Sequence, residues 1–355
     1  MEKMWFYSYN LNATDQPIVL IHNTSNWINK TSKTVLIWTY FFSDHNWADY
    51  FNTAFQQCKF KCIATGDKSK IKFADAVVFH LRDIDSVIPE YRESSQIWII
   101  TNAESPLNAV SSVYKKRINS MFNWTMTYRP ESTVHSYYGR YIPLTDDERK
   151  NYTPINYAAT RSMMAASIVS NCADDAHRLK ILSELGRYIQ LHQYGNCGSL
   201  PCPGTEHICR SNKYRFRIAL ENSICRDYIT EKFWNSLRDE VIPVVHWPWV
   251  EETSITELVP PKSFINLHDF DSIAHLGRYL IYLANNDTEF NSYFEWKKLY
   301  RLSLDTPMAA IELCTKLHQP RRDQEITDLY RWIHNDTKTC RRTHIFSRIK
   351  DFFRW

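Results

Sequence analysis

The sequence predicts an α/β protein with two domains, each built around a parallel β-sheet. Three observations lead to this prediction. Short apolar segments alternate with helical patterns, a polar segment interrupts the alternation near the middle, and the chain is long enough for two cores. It has 355 residues, 44% of them hydrophobic, and a single core of this size would be unusual. Strands that alternate with helices form parallel sheets because a helix makes each crossover.

The first half contains three predicted strands. They lie at 35–42, 76–81 and 97–101, with a helix at 47–58 after the first. Residues 1–34 are mostly polar and are interpreted as a stem remnant that leads into a first strand. Ligands of parallel sheets gather at the carboxyl ends of strands, so Glu104, which follows the third strand, is a candidate site residue. His80 ends the second strand, where a core or edge histidine is more common than a ligand contact.

A polar segment with two prolines, 140–161, is the predicted domain boundary. The predicted units are 1–34, the stem remnant and first strand; 35–150, the first domain; 160–313, the second domain; and 314–355, C-terminal helices that pack back on the first domain. In the second half we expect strands at 165–170, 214–219, 241–246 and 264–269, and helices at about 175–191, 272–283, 289–300 and 341–355.

The segment 214–234, YRFRIALENSICRDYITEKFW, is the most informative part of the chain. Its first residues alternate as in a strand, and after a polar turn a helical pattern begins at Tyr228. We expect Asp227 to cap this helix, so that Tyr228, Glu231 and Lys232 share one face of its first turns. The start of a helix attracts anions such as phosphate. An ordinary charged first turn explains the spacing equally well.

This segment resembles the most characteristic motif of the α1,3-fucosyltransferases, over the residues ENSICRDYITEKFW. The resemblance implies a GT-B fold, in which two Rossmann-like domains face each other across a cleft. It also implies the transfer of L-fucose from GDP-β-L-fucose to O3 of an N-acetylglucosamine, with inversion at the anomeric carbon. It places Asn222, Tyr228, Glu231 and Lys232 in the donor site, and Lys232 among the catalytic residues.

The resemblance extends to two further segments. The sequence NAESP, followed later by FNWTMTYR, is similar to the acceptor-domain signature of the family. This similarity implies that Glu104 is the general base and, with Tyr128 and His80, contributes to acceptor binding. A Ser-Asn pair followed by Arg178 is similar to the family's diphosphate contact, which implies that Arg178 is both a catalytic and a donor-binding cation.

Composition argues against several other classes of protein. The net charge of +4, from 43 basic and 39 acidic residues, gives no reason to expect a nucleic-acid partner. With seven glycines and no G-x-G-x-x-G or P-loop, an NAD enzyme or a kinase is disfavoured. Two D-x-D patterns, 83–85 and 269–271, are typical of metal-dependent GT-A transferases. The GT-B resemblance implies instead that Lys and Arg neutralise the diphosphate, so we expect no catalytic metal, no cofactor and at most a stimulatory divalent ion.

Nine cysteines, three of them between 197 and 209, favour disulfides in an oxidising compartment over a zinc site. Cys314 and Cys340 pair with each other, or one of them pairs with Cys58 or Cys62. Sequons for N-glycosylation favour the secretory route, and with the resemblance they imply the Golgi lumen or a secreted form. The sequons start at Asn12, Asn23, Asn29, Asn123, Asn151, Asn286 and Asn335.

No run of about 18 apolar residues occurs, so we expect no membrane-spanning segment. Fucosyltransferases of this kind are usually anchored by one helix before a stem, and we expect a truncated or engineered soluble form. The rival hypothesis is a non-catalytic secretory glycan-binding protein on the same scaffold. The joint presence of an acid and cations in the motifs favours the enzyme. The acceptor, on a glycoprotein or glycolipid, is left open between an N-glycan core and an outer lactosamine or LacdiNAc arm.

Overall fold

The computed structural model describes residues 19–21, 30–84, 88–109, 118–202, 209, 211–248, 255–304, 308–320, 324–334 and 340. Within these ranges the chain forms two α/β domains, each with one parallel sheet. Two antiparallel strand pairs lie outside the main sheets. The predicted α/β class with two parallel sheets, as in a GT-B protein, is confirmed.

The first domain is built on a six-stranded parallel sheet. Its half of the chain forms β1 (Val19–Ile21), β2 (Ser32–Ile37), α1 (Trp47–Phe55), β3 (Lys61–Thr65), β4 (Ala76–His80), β5 (Ile97–Asn102), α2 (Pro106–Ala109), β6 (Trp124–Thr127) and β7 (Val134–His135). The strand order is β3-β2-β4-β5-β6-β7. Every residue of β4 and β5 is buried, as expected for central strands covered on both faces.

The second domain is built on a five-stranded parallel sheet in the order β10-β9-β11-β12-β13. Up to that sheet's last strand, the chain forms β8 (Arg140–Pro143), α3 (Asp146–Lys150), β9 (Met163–Ile168), α4 (Arg178–Leu185), β10 (Leu191–Tyr194), β11 (Tyr214–Ile218), α5 (Glu231–Arg238), β12 (Ile242–Val245), α6 (Ile255–Leu258) and β13 (Ile265–Asn266). The order reverses between β9 and β11, and a crevice at such a switch point binds ligands in open α/β sheets.

The rest of the chain completes the second domain and returns to the first. It forms α7 (Ile273–Ala284), α8 (Asp287–Ser292), β14 (Tyr300–Ser303), α9 (Met308–Leu317), β15 (Gln324–Ile326) and α10 (Leu329–His334). Leu313 of α9 and Leu329 of α10 are fully buried in two separate apolar clusters of the first domain. Helix α9 begins at Met308, before the predicted boundary at 314. The helix predicted at 341–355 lies outside the described residues.

The helix predicted at 289–300 is wrong. The structure has the short helix α8, a 3₁₀ turn at Glu295–Lys298, and then strand β14. Tyr300–Ser303 pairs antiparallel with β8, which is more than 150 residues earlier, so a tertiary contact overrides the local apolar spacing. The helix α4 is shorter than the helix predicted at 175–191, because it covers only Arg178–Leu185. Ile189 lies beyond its end but still packs in the core.

Four disulfides occur among the described residues: Cys58–Cys314, Cys172–Cys197, Cys202–Cys209 and Cys225–Cys340. Of the alternatives left open by the sequence, Cys314 pairs with Cys58 rather than with Cys340. Cys62 is a buried free thiol, and its sulfur lies near Cys314 and His318. Because Cys314 is in a disulfide, these three residues are not a set of free metal ligands.

The sequons that the structure describes differ in their surroundings. The Asn123 side-chain amide donates to the Gln324 carbonyl and its oxygen accepts from the Trp98 amide, at 2.8 and 2.9 Å, so this nitrogen is already used inside the protein. Asn151 is exposed, and Asn286 is half-buried at the start of α8. Asn12, Asn23, Asn29 and Asn335 lie outside the described residues. Among the helices that the structure describes, none combines the length and apolarity needed to cross a bilayer.

Candidate active site

A cavity of about 370 Å³ lies between the two domains, and we call it the interdomain cavity. Its lining residues are Glu104, Tyr138, Ile168, Val169, Ser170, Asn171, Arg178, Arg217, Ile218, Ala219, Asn222, Tyr228, Glu231, Lys232 and Asn235. Most of them follow β9 and β11, so the cavity lies at the switch point of the second sheet. Its volume is within the range of about 300–1,000 Å³ that small-molecule sites occupy. Six of the residues predicted from the sequence therefore meet in one cavity: Glu104, Arg178, Asn222, Tyr228, Glu231 and Lys232.

The loop after β5 carries Glu104 to the first-domain side of the cavity. The Asn102 side-chain amide donates to the Glu104 carbonyl at 2.6 Å, and the Asn102 oxygen accepts from the Glu104 amide at 3.3 Å. The Tyr138 hydroxyl donates to the Ala103 carbonyl, and the hydroxyls of Ser105 and Ser223 lie 2.8 Å apart across the domains. The carboxylate is half-buried, 4.0 Å from the Arg82 guanidinium. The loop is thus fixed from both of its ends.

The prediction that the helix after β11 begins at Tyr228 is wrong. Helix α5 begins at Glu231, and Thr230 is its N-cap, since the Thr230 hydroxyl accepts from the Lys232 amide at 3.4 Å. Asp227 does not cap the helix; it adopts a left-handed φ of 57° three residues before that N-cap. Tyr228 lies in this turn, so it does not share a helix face with Glu231 and Lys232. The turn folds Tyr228 back over the cavity, and the three side chains still meet there.

The buried carboxylate of Glu221 fixes the start of α5, although no role was predicted for it from the sequence. It accepts from the Thr230 amide and hydroxyl at 2.9 and 2.8 Å, and it lies 3.2 Å from the Lys232 ammonium. The Glu231 carboxylate is 2.9 Å from the same ammonium. Lys232 is therefore held between two carboxylates at the edge of the cavity. The sequence could have pointed to Glu221, because it is the first residue of the ENS motif.

Arg178 is the first residue of α4 and only 1% exposed, yet it lines the cavity. Its guanidinium donates to the carbonyls of Asn171 and Leu220. The Asp174 carboxylate accepts from the first two amides of α4, at 2.8 and 2.9 Å. These amides are therefore already satisfied, and the positive charge available to a ligand comes from the Arg178 side chain rather than from free helix N–H groups.

The charges of the cavity are set by burial and by Lys232. Burial works to raise the pKa of Glu231, but the Lys232 ammonium and hydrogen bonds outweigh it and hold that pKa below its ordinary value. Burial alone would lower the pKa of Lys232, and the carboxylates of Glu221 and Glu231 raise it instead. Burial raises the pKa of Tyr228, helped by the neighbouring Tyr138. At neutral pH Lys232 is thus charged and Tyr228 is a neutral hydrogen-bond donor.

Asn222 offers a further polar atom to the cavity. Its side-chain oxygen is buried, and no described residue donates a hydrogen bond to it. Buried polar atoms in proteins are nearly always paired. Because Asn222 lines the interdomain cavity, a ligand that donates a hydrogen bond there would satisfy this atom.

The structure does not bring His80 or Tyr128 into the interdomain cavity. His80 is fully buried, and its Nδ1 is hydrogen-bonded to the Asp83 carboxylate, which also accepts from the Phe42 amide at 2.7 Å. Burial lowers its pKa, so it is a core histidine. Tyr128 lines a different cavity. Neither D-x-D pattern contributes a described residue to the interdomain cavity.

Two parallel sheets that meet at a polar interdomain cavity define the architecture of a GT-B glycosyltransferase, and the same fold occurs in solved structures of an α1,3-fucosyltransferase. One, solved with GDP, is 12% identical, covers 84% of this chain and 92% of its own, and superposes with a TM-score of 0.52. Another is 13% identical, covers 81% and 88%, and has a TM-score of 0.51. At this identity the likeness concerns the fold alone.

Sequence comparison gives the family. The model of the fucosyltransferase N-terminal region matches residues 30–139, and the model "Glycosyltransferase family 10 (fucosyltransferase) C-term" matches residues 158–332. The alpha-(1,3)-fucosyltransferase 7 of Mus musculus is 30% identical over 86% of this chain and 77% of its own. The human 4-galactosyl-N-acetylglucosaminide 3-alpha-L-fucosyltransferase FUT5 is 32% identical over 76% and 72%.

The chain belongs to the α1,3-fucosyltransferases of glycosyltransferase family 10. It is therefore a glycosyltransferase, and the family membership supports fucose transfer as its activity. The prediction of an enzyme is confirmed, and the rival hypothesis of a non-catalytic glycan-binding protein is set aside.

Proposed function

We propose that this protein transfers L-fucose from GDP-β-L-fucose to O3 of an N-acetylglucosamine, with inversion and with Glu104 as the general base. One observation carries the proposal: an acid from the first domain lines the same cavity as two cations from the second, Arg178 and Lys232. The relatives' names describe 3-α-L-fucosyltransferases, and a structural neighbour was solved with GDP. Both agree with this donor and this linkage.

The reaction is a single displacement at the fucose anomeric carbon. The acceptor O3–H loses its proton to the Glu104 carboxylate as O3 forms a bond to C1. The bond from C1 to the β-phosphate oxygen breaks, and GDP leaves with the electron pair. Charge that grows on the diphosphate is offset by the fixed cations Arg178 and Lys232. Inversion requires the base and the leaving group on opposite faces of the sugar, and the origin of Glu104 and of the two cations in different domains supports such an arrangement.

The remaining residues of the interdomain cavity bind the donor. The Tyr228 hydroxyl, neutral because of burial, donates to the diphosphate together with the Asn222 amide. Glu231 stays ionised because Lys232 lowers its pKa, which suits either a hydrogen bond to the ribose or stabilisation of positive charge on the oxocarbenium-like sugar. With these groups in place, the proposed reaction uses no cofactor, and a divalent ion is at most stimulatory.

The four disulfides favour an oxidising compartment. Together with the family, they support a site of action in the Golgi lumen or as a secreted form. The acceptor is then an N-acetylglucosamine in a glycoprotein or glycolipid glycan. A panel of N-glycan core, lactosamine and LacdiNAc acceptors is assayed with GDP-fucose. It distinguishes an N-glycan core acceptor from an outer lactosamine or LacdiNAc arm.

The base assignment is tested by Glu104→Gln. This change removes the proton acceptor but keeps the shape and the loop hydrogen bonds, so transfer should fall by about a factor of 10³ while GDP affinity stays unchanged. Transfer is measured with GDP-fucose and the acceptor panel, and GDP binding by calorimetry. The control is Glu90→Gln, an exposed glutamate of the same domain. A Glu104→Gln enzyme with near wild-type rates would show that another group takes the proton.

A further inference from the structure

A second cavity, of about 220 Å³, lies where the two domains, strand β8 and helix α9 meet, and we call it the junction cavity. Among its lining residues are Tyr128, Tyr137, Tyr141, Asp227, Trp234 and Glu312. They come from the first domain, the connecting strand β8, the second domain and the C-terminal helix α9. The reaction proposed above uses none of these residues.

The junction cavity is separate from the interdomain cavity. The ring of Tyr228, which lines the interdomain cavity, is 5.0 Å from the ring of Tyr128, which lines the junction cavity. Tyr138 lines the interdomain cavity and the adjacent Gly139 lines the junction cavity. On α5, Lys232 and Trp234 contribute to the interdomain and the junction cavity, respectively. A wall of aromatic side chains and backbone therefore divides the two spaces.

The junction cavity contains a buried hydroxyl that lacks a partner. Tyr128 is 2% exposed, and no described residue is hydrogen-bonded to its hydroxyl. Burial raises the pKa of Tyr128, so the phenol is neutral and can both donate and accept. Burying a hydroxyl without a partner is costly, and an unpaired group of this kind in a native protein calls for an explanation. A ligand hydroxyl in the junction cavity would pair with it.

The other side chains of the junction cavity favour a neutral ligand with many hydroxyls. Three aromatic side chains besides Tyr128 line it, namely Tyr137, Tyr141 and Trp234, and three carboxylates do so, namely Asp227, Glu257 and Glu312. Aromatic rings pack on the C–H faces of a sugar ring, and carboxylates accept hydrogen bonds from its hydroxyls.

Local charge is largely matched, which disfavours a bare cation as the ligand. Glu312 lies 3.2 Å from His135 and 3.0 Å from Lys316, and Asp227 lies 3.7 Å from Arg226. The Arg140 side chain also contributes to the lining. A small organic cation therefore meets few unmatched negative charges here.

We infer that the junction cavity is a second carbohydrate site, which takes one pyranose residue of a glycan away from the reaction centre. Because its walls come from both domains and from α9, an occupied site also braces the two domains against each other. The inference does not depend on which residue is the catalytic base. Direct measurements of glycan binding therefore test it independently of the proposed function.

The test uses N-acetyllactosamine and chitobiose as probes. Saturation-transfer NMR measures their binding to the protein in the presence of saturating GDP. Wild type should bind a probe, and Tyr128→Phe should weaken that binding by about tenfold, the value of one good hydrogen bond. Tyr141→Ala removes an aromatic wall and should weaken it similarly. Tyr293→Phe is the matched control, because the Tyr293 hydroxyl lies 2.8 Å from that of Tyr279, outside both cavities.

A second measurement separates this site from the acceptor site. A diazirine-bearing N-acetylglucosamine is cross-linked to Glu104→Ala, and the labelled peptides are mapped. Label on Tyr137, Tyr141 or Glu257, which line only the junction cavity, supports the junction site. Label confined to residues of the interdomain cavity, such as position 104 or Tyr138, overturns it. Wild-type affinity in Tyr128→Phe also overturns it, as does a large drop in the melting temperature of that variant, which would make the hydroxyl structural. Loss of transfer in Glu104→Gln bears on the proposed function alone.

Discussion

Lys232 shows how a single residue is prepared for its proposed role. A buried ammonium alone would lose its proton easily, because burial disfavours the charged form. Glu221 and Glu231 prevent this loss by raising the pKa of Lys232. Glu221 is itself fixed by hydrogen bonds from Thr230. The cation is thus already oriented before a ligand arrives, so the diphosphate binding that we propose requires little reorganisation of Lys232.

We expect Lys232→Ala to weaken GDP binding at least about tenfold, because a hydrogen bond to a charged group contributes about 1.5–3 kcal/mol. Calorimetry with GDP measures the effect. Lys180→Ala, an exposed lysine on α4, serves as the control and should bind GDP like wild type. Unchanged affinity in Lys232→Ala would remove this residue from the donor site.

At the scale of elements, α9 is attached to the first domain by a polar contact as well as by its apolar face. The Glu312 carboxylate accepts from the His135 backbone amide at 3.1 Å and lies 3.2 Å from the His135 ring nitrogen. Burial works to raise the pKa of Glu312, but hydrogen bonds from His135 and Lys316 outweigh it and lower that pKa to about 2. The hydrogen bond to Glu312 raises the pKa of His135, against the effect of burial.

These two shifts predict a pH dependence of stability. The Glu312 contribution is present above its ordinary pKa of 4.5 and is lost as the pH falls toward about 2. The His135 contribution is complete below its ordinary pKa of 6.5 and is lost as the pH rises through the raised value. Both are present together between 4.5 and 6.5.

Accordingly, Glu312→Gln should lower the free energy of unfolding by about 1 kcal/mol between pH 4.5 and pH 6.5, and by less outside this pH range. Urea unfolding of wild type and variant at a series of pH values measures this difference. Glu289→Gln, on the exposed side of α8, should show no such profile. A constant difference between wild type and Glu312→Gln at every pH would mean that the ion pair does not titrate as described.

On the scale of the whole molecule, the domains are held at the junction by close packing and by covalent links. The disulfide Cys225–Cys340 joins the loop between β11 and α5 to the C-terminal part of the chain, and Cys58–Cys314 joins α9 to the first domain. Gly139, in the connection between the domains, passes so close to α5 that an added Cβ would be 2.4 Å from a Trp234 ring atom. Only glycine fits there without a shift of the Trp234 and Leu304 side chains.

Gly139→Ala should therefore lower the free energy of unfolding by about 2 kcal/mol, as overpacking does. Denaturant unfolding measures the loss. Gly66→Ala is a matched control, because an added Cβ there meets no atom within 4 Å, and it should be neutral or slightly stabilising. Equal stability of the two variants would indicate that the junction yields to the extra methyl group without cost.

Much of this protein was determined by the sequence itself. The buried strands β4 and β5 were predictable, since apolar runs of this length between polar loops leave few alternatives. The ENS and DYITEK residues identified the family, because their resemblance covers a fixed local order of residue types, and they mark the segment that we propose binds the donor. Glu104 was predictable as a candidate site residue for a different reason: it lies just after the end of a strand of a parallel sheet, where ligands gather.

Only the tertiary structure decided the rest. Residues that are close in sequence proved to line different cavities, as Tyr138 and Gly139 do, because the chain passes between the two cavities at this point. Tyr128 belongs to the junction cavity and His80 to the core, and no local pattern separates these outcomes. The start of α5 at Glu231 depends on Thr230, its N-cap, whose backbone amide and hydroxyl donate to the Glu221 carboxylate. Contacts between separate segments decide helix ends and cavity walls, and a local sequence pattern does not specify them.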